Sequence, residues 1–296
     1  MSDKNIHKVV CFGEILWDIL PTGTLPGGAP MNVAYHLKKL GNEPALITKI
    51  GNDDWGKKLL KLMEENSLNV DFVQTDNSLE TGKVHASVDE NKEVTYDIVK
   101  PVAWDNIEWD KRLSDLVAGA NYFVFGSLAA RIDVTRDTLL KLLEVAKFKV
   151  LDINLRSPHY NRPIIEQLLY NVQLLKLNQA ELELISGWFT NYKSDEDRIK
   201  TLRNKFNIPN IVVTKGSEGA MFDCEGKVYT FPGYKIVVAD TVGSGDSFLA
   251  ALLTKLLDGK SPGESLQFAC AVGALIAGYH GACPNYSTEE IFTLMK

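Results

Sequence analysis

The feature that most restricts the fold is a rhythm. Short apolar, β-branched runs alternate with helix-patterned segments: 122–125 precede 134–146, 149–153 precede 164–170, and 172–177 precede 179–185. Strands at 211–214, 220–222 and 227–231 continue the series. Alternation of this kind predicts an α/β fold, a mostly parallel sheet with helices on both faces. Ligands of such sheets sit beyond the carboxyl ends of the strands. Polar candidates fall there in succession: Asp152, Asn154 and Arg156; Asn178 and Glu181; Thr214, Gly216 and Gly219; Asp240 and Asp246. One such residue is unremarkable, but several on successive strand ends favour an active site.

Near the carboxyl end, a β-branched run at 236–238 stops at Asp240-Thr241-Val242-Gly243-Ser244-Gly245-Asp246-Ser247-Phe248. An apolar segment then runs to Leu257, with Gly259 as a stop signal. This reads as strand, tight turn and helix. Gly243 and Gly245 let backbone N–H groups approach a ligand closely, and the helix start adds unpaired amides and its positive dipole end. Such a turn suits phosphate. Asp246 is out of place in an anion cradle unless it does chemistry, such as taking the proton of an attacking hydroxyl. The plain alternative is an acidic residue favouring a helix start. A Walker loop is excluded, because no Gly-Lys-Ser/Thr follows the glycines.

The remaining segments add candidates. An apolar strand at 8–12 ends at Gly13, and strand-like sequence at 15–20 is interrupted by Asp18, read as an exposed position or a ligand contact. Gly27 and Gly28 precede a helix pattern over 33–40, with Asn32 placed to cap it. A strand at 45–50 and a helix at 55–65 follow. Residues 83–99 alternate with period two about a polar turn at 89–92, which predicts a hairpin, either an ordinary edge hairpin or a flap beside an active site. Asn178 and Glu181 have capping-box spacing, and also offer an amide and a carboxylate for the water ligands of Mg²⁺.

Composition narrows the partners. A chain of 296 residues with net charge −6 and no basic run argues against nucleic acid. Cys11, Cys224, Cys270 and Cys283 show no metal-ligand spacing and read as apolar fillers of a reducing compartment. The apolar stretch at 9–20 is broken by Glu14 and Asp18, so no signal peptide is expected. The longest apolar stretch, 268–279, falls short of the roughly 20 residues a membrane span needs. A cytoplasmic protein without membrane contact is the expectation.

Taken together, Gly27-Gly28-Ala29-Pro30-Met31-Asn32-Val33-Ala34 with Leu40-Gly41 and Ile50-Gly51-Asn52-Asp53, followed by the 240–248 segment, resemble the two signatures of the ribokinase-like (PfkB) carbohydrate kinases. The resemblance covers nearly the whole chain. It implies one ribokinase-like α/β domain over 1–296, with a small β-lid from about 14–21 and 83–100, and a homodimer paired through that lid. It implies ATP-dependent, Mg²⁺-assisted phosphorylation of a sugar hydroxymethyl group. Asp246 would be the base, and Gly243, Ser244 and Gly245 the anion hole. Asp18, Gly28 and Asn32 would bind the sugar, with Asn154 and Arg156 beside them. Asn178, Thr214, Gly216, Gly219 and Asn285 would bind ATP, and Glu181 would hold Mg²⁺ through water. Asp240, Val242 and Gly281 match positions that hold a monovalent cation such as K⁺, although the 279–282 segment lacks an Arg common in ribokinases. Gly13-Glu14, the Gly-Ala-Pro run and 152–156 look closer to fructokinases, which implies fructose as the sugar. Ribokinase and 2-keto-3-deoxygluconate kinase are the alternatives, and a non-catalytic sugar- or nucleotide-binding regulator is the alternative of another class. A dinucleotide-dependent oxidoreductase lacks its Gly-x-Gly-x-x-Gly signature here.

Overall fold

A computed structural model describes residues 8–21, 23–88, 94–189, 191 and 194–296. The strands are β1 (Lys8–Phe12), β2 (Leu16–Leu20), β3 (Gly23–Gly27), β4 (Glu43–Gly51), β5 (Val73–Asp76), β6 (Gly82–Val88), β7 (Val94–Ile98), β8 (Tyr122–Gly126), β9 (Lys149–Asp152), β10 (Leu174–Asn178), β11 (Asn210–Thr214), β12 (Ala220–Cys224) and β13 (Lys227–Phe231). The helices are α1 (Ala29–Lys39), α2 (Asp54–Glu65), α3 (Lys111–Gly119), α4 (Asp133–Val145), α5 (Arg162–Leu169), α6 (Gln179–Gly187), α7 (Asp195–Phe206), α8 (Ser244–Leu257), α9 (Pro262–Ala277) and α10 (Thr288–Leu294).

Among the described residues, nine strands form one sheet in the order β13-β12-β11-β10-β9-β8-β1-β4-β5. Pairing is parallel from β11 through β5, and antiparallel at β11–β12 and β12–β13. The parallel strands inside the sheet are buried on both faces, unlike β5 at its edge, and their alternating side chains feed two cores. In β1, Val9 and Cys11 join the core under α1, α2, α8, α9 and α10. Val10 and Phe12 join the core under α3 to α7. The expected α/β architecture is observed.

A second sheet has the order β3-β2-β6-β7, with β2 and β6 parallel and its other pairs antiparallel. The hairpin appears as β6 and β7; its expected turn at 89–92 lies outside the described residues. β3 was not anticipated, because Pro26 and two glycines obscure its pattern. Its residues 24–26 pair with 17–19 of β2. This sheet is seated by Leu16, Val84, Ile98, Val102, Trp104 and Leu128. Trp104 is fully buried, with the Arg131 guanidinium stacked 3.9 Å from its ring centre.

Two local expectations are corrected. Residues 236–238 form no strand: Val237 is 91% exposed, and the chain has already left the sheet edge at β13. The backbone is held instead where the Ala239 and Asp240 amides donate to Ala277 O at the end of α9. Nor does Asn32 cap a helix. α1 starts four residues earlier than its apolar pattern, after Gly28, with Pro30 in its first turn, where a missing N–H costs nothing. Asn32 is thereby buried on an inward face of the helix.

Candidate active site

Gly243 is the N-cap of α8 in a left-handed conformation, φ +76°. A Cβ there would lie 2.6 Å from Ala282 Cα, so only glycine fits the turn. Asp246 follows in the first helical turn, and its Oδ2 accepts a 2.8 Å bond from Asn32 Nδ2. The two glycine-rich segments, 214 residues apart, thus meet at the candidate base. Ser244 N–H donates to Thr241 O at 3.3 Å, a long bond.

Part of Asp246 is open to solvent, yet its carboxylate is enclosed. Burial, followed by the nearby Asp152 charge, raises its pKa to about 6; Lys176, Asn32 and Arg156 oppose the rise. Such a group is ionised at neutral pH and more basic than a free aspartate, which suits proton abstraction. Lys176 and Asp152 face each other across β10 and β9, with Nζ 2.8 Å from both carboxylate oxygens. Burial opposes charge on Lys176, but Asp152 more than offsets it and leaves the pKa raised. The ammonium lies 3.3 Å from where a Cβ on Gly245 would sit, so a fixed cation backs the turn.

On the other side, Gly28 brings α1 against β2: a Cβ there, at φ +112°, would lie 2.4 Å from Glu14 O. Glu14 is 3% exposed, and its Oε2 has no partner among the described residues. Burial raises its pKa to about 7. Burial also raises Asp18, half-buried on β2, to about 6. Arg156 is exposed, and its charge opposes the rise at Glu14, Asp18 and Asp246 alike. Its Nη1 donates to Leu155 O at 3.3 Å. Asn154 turns the chain after β9 at φ +39°.

The nucleotide-side candidates are tied into the backbone. Asn178 and Glu181 form a reciprocal capping box at the start of α6, and Glu181 Oε1 also accepts from Leu155 N–H at 2.8 Å. Burial raises the pKa of Glu181. Thr214 ends β11, and Gly216 and Gly219, both at positive φ, close the short turn before β12. Asp240 accepts from Val242 N–H at 3.0 Å and Gly281 N–H at 3.1 Å, which joins the two segments matched to a cation site. Asn285 Oδ1 is already bonded by Lys39 Nζ at 2.7 Å.

A family model described as pfkB family carbohydrate kinase matches residues 8–289. The chain belongs to that family. Fructokinase from Solanum tuberosum is 30% identical, with 97% of this chain and 95% of that protein aligned. Fructokinase-2 from Solanum habrochaites is 30% identical over 97% and 96%. Among solved structures, fructokinase from Vibrio cholerae O395 with fructose, ADP and potassium superposes with a TM-score of 0.85 at 22% identity, covering 98% of this chain and 99% of that one. The 2-dehydro-3-deoxygluconokinase of Thermotoga maritima gives 0.85 at 21% identity, covering 98% and 99%. The ribokinase-like fold and the sugar-kinase class expected from sequence both stand.

In this carbohydrate kinase the structure joins Asn32 to Asp246 on the helix that Gly243 and Gly245 open, and places Asp18 against Gly27 and Glu14 against Gly28. Sequence reading did not single out Glu14, Lys176 or Cys283 as site residues. Glu14 and Lys176 carried a signal, being charges inside otherwise apolar strand runs. Cys283 carried none; its Sγ lies 3.4 Å from Asn32 Oδ1 only because the 282–286 segment folds back over α1.

Proposed function

We propose that this carbohydrate kinase transfers the terminal phosphoryl group of ATP to the hydroxymethyl group of free fructose, giving fructose 6-phosphate. The observation that carries the reading is the Asn32–Asp246 bond, because it joins a sugar-side helix to a base seated in a phosphate-binding turn. In this mechanism Asp18 and Asn32 hold sugar hydroxyls, accepting and donating in turn. Asp246 accepts the proton of the attacking hydroxyl while the Gly243–Gly245 amides meet the charge of the transferred group. The 22–30% identical fructokinases support fructose as the sugar.

Among the described residues, no group of three acidic, His or Cys side chains could hold a metal alone. Mg²⁺ would bind mainly through the substrate phosphates, with few protein carboxylates. Glu181 would reach it through water, and the ion would supply charge neutralisation at the phosphates. Asn178, Thr214, Gly216, Gly219 and Asn285 would line the nucleotide, and Asp240, Val242 and Gly281 a K⁺ site. The four-stranded sheet would act as the lid over the sugar, with its outer face pairing two chains. No helix among the described residues is long and apolar enough to cross a membrane; a cytoplasmic location belongs to the same reading.

Arg156 favours a second substrate, 2-keto-3-deoxygluconate, whose carboxylate it could pair. An ADP-release assay over fructose, ribose, 2-keto-3-deoxygluconate, tagatose 6-phosphate and adenosine separates these readings by kcat/KM. Asp246→Asn should lower kcat at least ~100-fold with sugar and ATP binding kept. Binding without turnover in the parent chain would instead indicate a regulator on this fold.

A further inference from the structure

One face of α1 carries Asn32, Tyr35, His36 and Lys39, the spacing that lines side chains along one side of a helix. The first three are buried, although each has a polar group to satisfy. All four reach one five-residue segment, 282–286. His36 Nε2 bonds Ala282 O at 2.8 Å, and Cys283 Sγ donates to Asn32 Oδ1 at 3.4 Å. Tyr35 Oη donates to Pro284 O at 2.8 Å, and Lys39 Nζ to Asn285 Oδ1 at 2.7 Å. His36 Nδ1 lies 3.1 Å from Tyr286 Oη. Five successive residues are each fastened to the same helix.

The partners decide the His36 tautomer. A carbonyl only accepts, so Nε2 must carry the proton toward Ala282. Nδ1 is then a lone pair, and the Tyr286 hydroxyl must donate to it. The ring has to be neutral for this, and burial lowers its pKa to about 4. The result is one directed chain, Tyr286 to His36 to the Ala282 carbonyl. Apolar residues of the same volume would pack as well but would leave the buried Ala282 carbonyl without a donor, and every buried polar group must find a partner.

The chain ends at the catalytic turn. Ala282 is the residue packed against Gly243, and neighbouring Gly281 donates to Asp240. At the other end of the same helix face, Asn32 donates to Asp246. One rigid helix therefore holds the base directly and the anion turn through Ala282. We propose that His36 and Tyr286 are positioning residues for phosphoryl transfer, holding the Ala282 peptide so that the Gly243–Gly245 amides stand at a set distance from Asp246. This rests on the carbohydrate-kinase reading of the site. Preorganised donors work because they need not move during reaction, and a 1 Å misplacement can cost ~100-fold in rate.

The test compares Tyr286→Phe, His36→Leu and His36→Gln with the parent enzyme. Phe removes one hydroxyl, Leu the whole chain of bonds, and Gln keeps an N–H able to reach Ala282. Tyr286→Phe is expected to lower kcat about tenfold, and His36→Leu about 100-fold, with sugar and ATP KM changed less than about twofold. His36→Gln should recover most of the loss. Amide hydrogen exchange at 243–245 and 281–286 should rise in the same order, while α4 to α7 stay protected. The proposal is overturned by unchanged kcat and exchange, by KM rises that account for the whole loss, or by His36→Gln performing no better than His36→Leu. If the parent chain phosphorylates none of the sugars offered, the substrate reading fails, and the exchange measurement alone still decides the brace.

Discussion

Asp246 shows how one environment sets both chemistry and stability. With Asp246 as the proposed base, its pKa of about 6 should place the acid limb of kcat/KM near pH 6, since a base must be ionised to accept a proton. Asp152 contributes to that value, so Asp152→Asn should move the limb to lower pH, as a pH–rate profile would show. The same shift affects folding. The native carboxyl holds its proton more tightly than the unfolded chain does, near pH 3.9. Its stabilising contribution is therefore full below about pH 4 and is lost as pH rises through 6. At pH 7.5 the buried charge destabilises the fold, and Asp246→Asn should recover on the order of 2 kcal/mol, allowing for the part of the residue open to water. Thermal melts should show a Tm gain of roughly 5 °C at pH 7.5 that vanishes near pH 4. Asp18 and Glu14 are shifted the same way, so the site carries three carboxyls in environments that disfavour their charge.

Elements decide how finely those groups are placed. α8 can deliver amides and a carboxylate to one spot because Gly243 turns the chain at φ +76° against Ala282. Gly243→Ala should push the turn away from Ala282 and lower kcat by at least ~100-fold, with far-UV circular dichroism unchanged. The helix and its glycines were legible from the 243–248 spacing. The supposed strand before them was not real, since a β-branched run becomes a strand only where a sheet edge is there to receive it. Asn178 and Glu181 illustrate the converse: the capping box expected from their spacing is observed, and it uses both Glu181 oxygens on backbone amides.

For the whole molecule, the second sheet depends on its seat. Trp104 fills the space beneath Gly82, where a Cβ would lie 2.5 Å from its Nε1, and Arg131 covers it while pairing with Asp105 at 2.6 Å. Trp104→Ala should destabilise the protein by about 3–5 kcal/mol by denaturant titration. If this sheet is the lid, the variant should also raise the sugar KM and sugar-independent ATP hydrolysis, because water is no longer shut out.

Local pattern alone determined the parallel sheet, the two helix layers, the glycine turn that opens α8 and Asp246 as its acidic member. These follow from periodicity and glycine placement, which act over a few residues. Only the tertiary structure decided that Asn32 is a partner of Asp246 and no helix cap, that Lys176 and Asp152 stand behind Gly245, and that Glu14 is buried with one oxygen unpartnered among the described residues. It also decided that α1 grips 282–286. Each of these is a meeting of segments tens to hundreds of residues apart, and a contact made by packing across a sheet leaves no periodic trace in either segment.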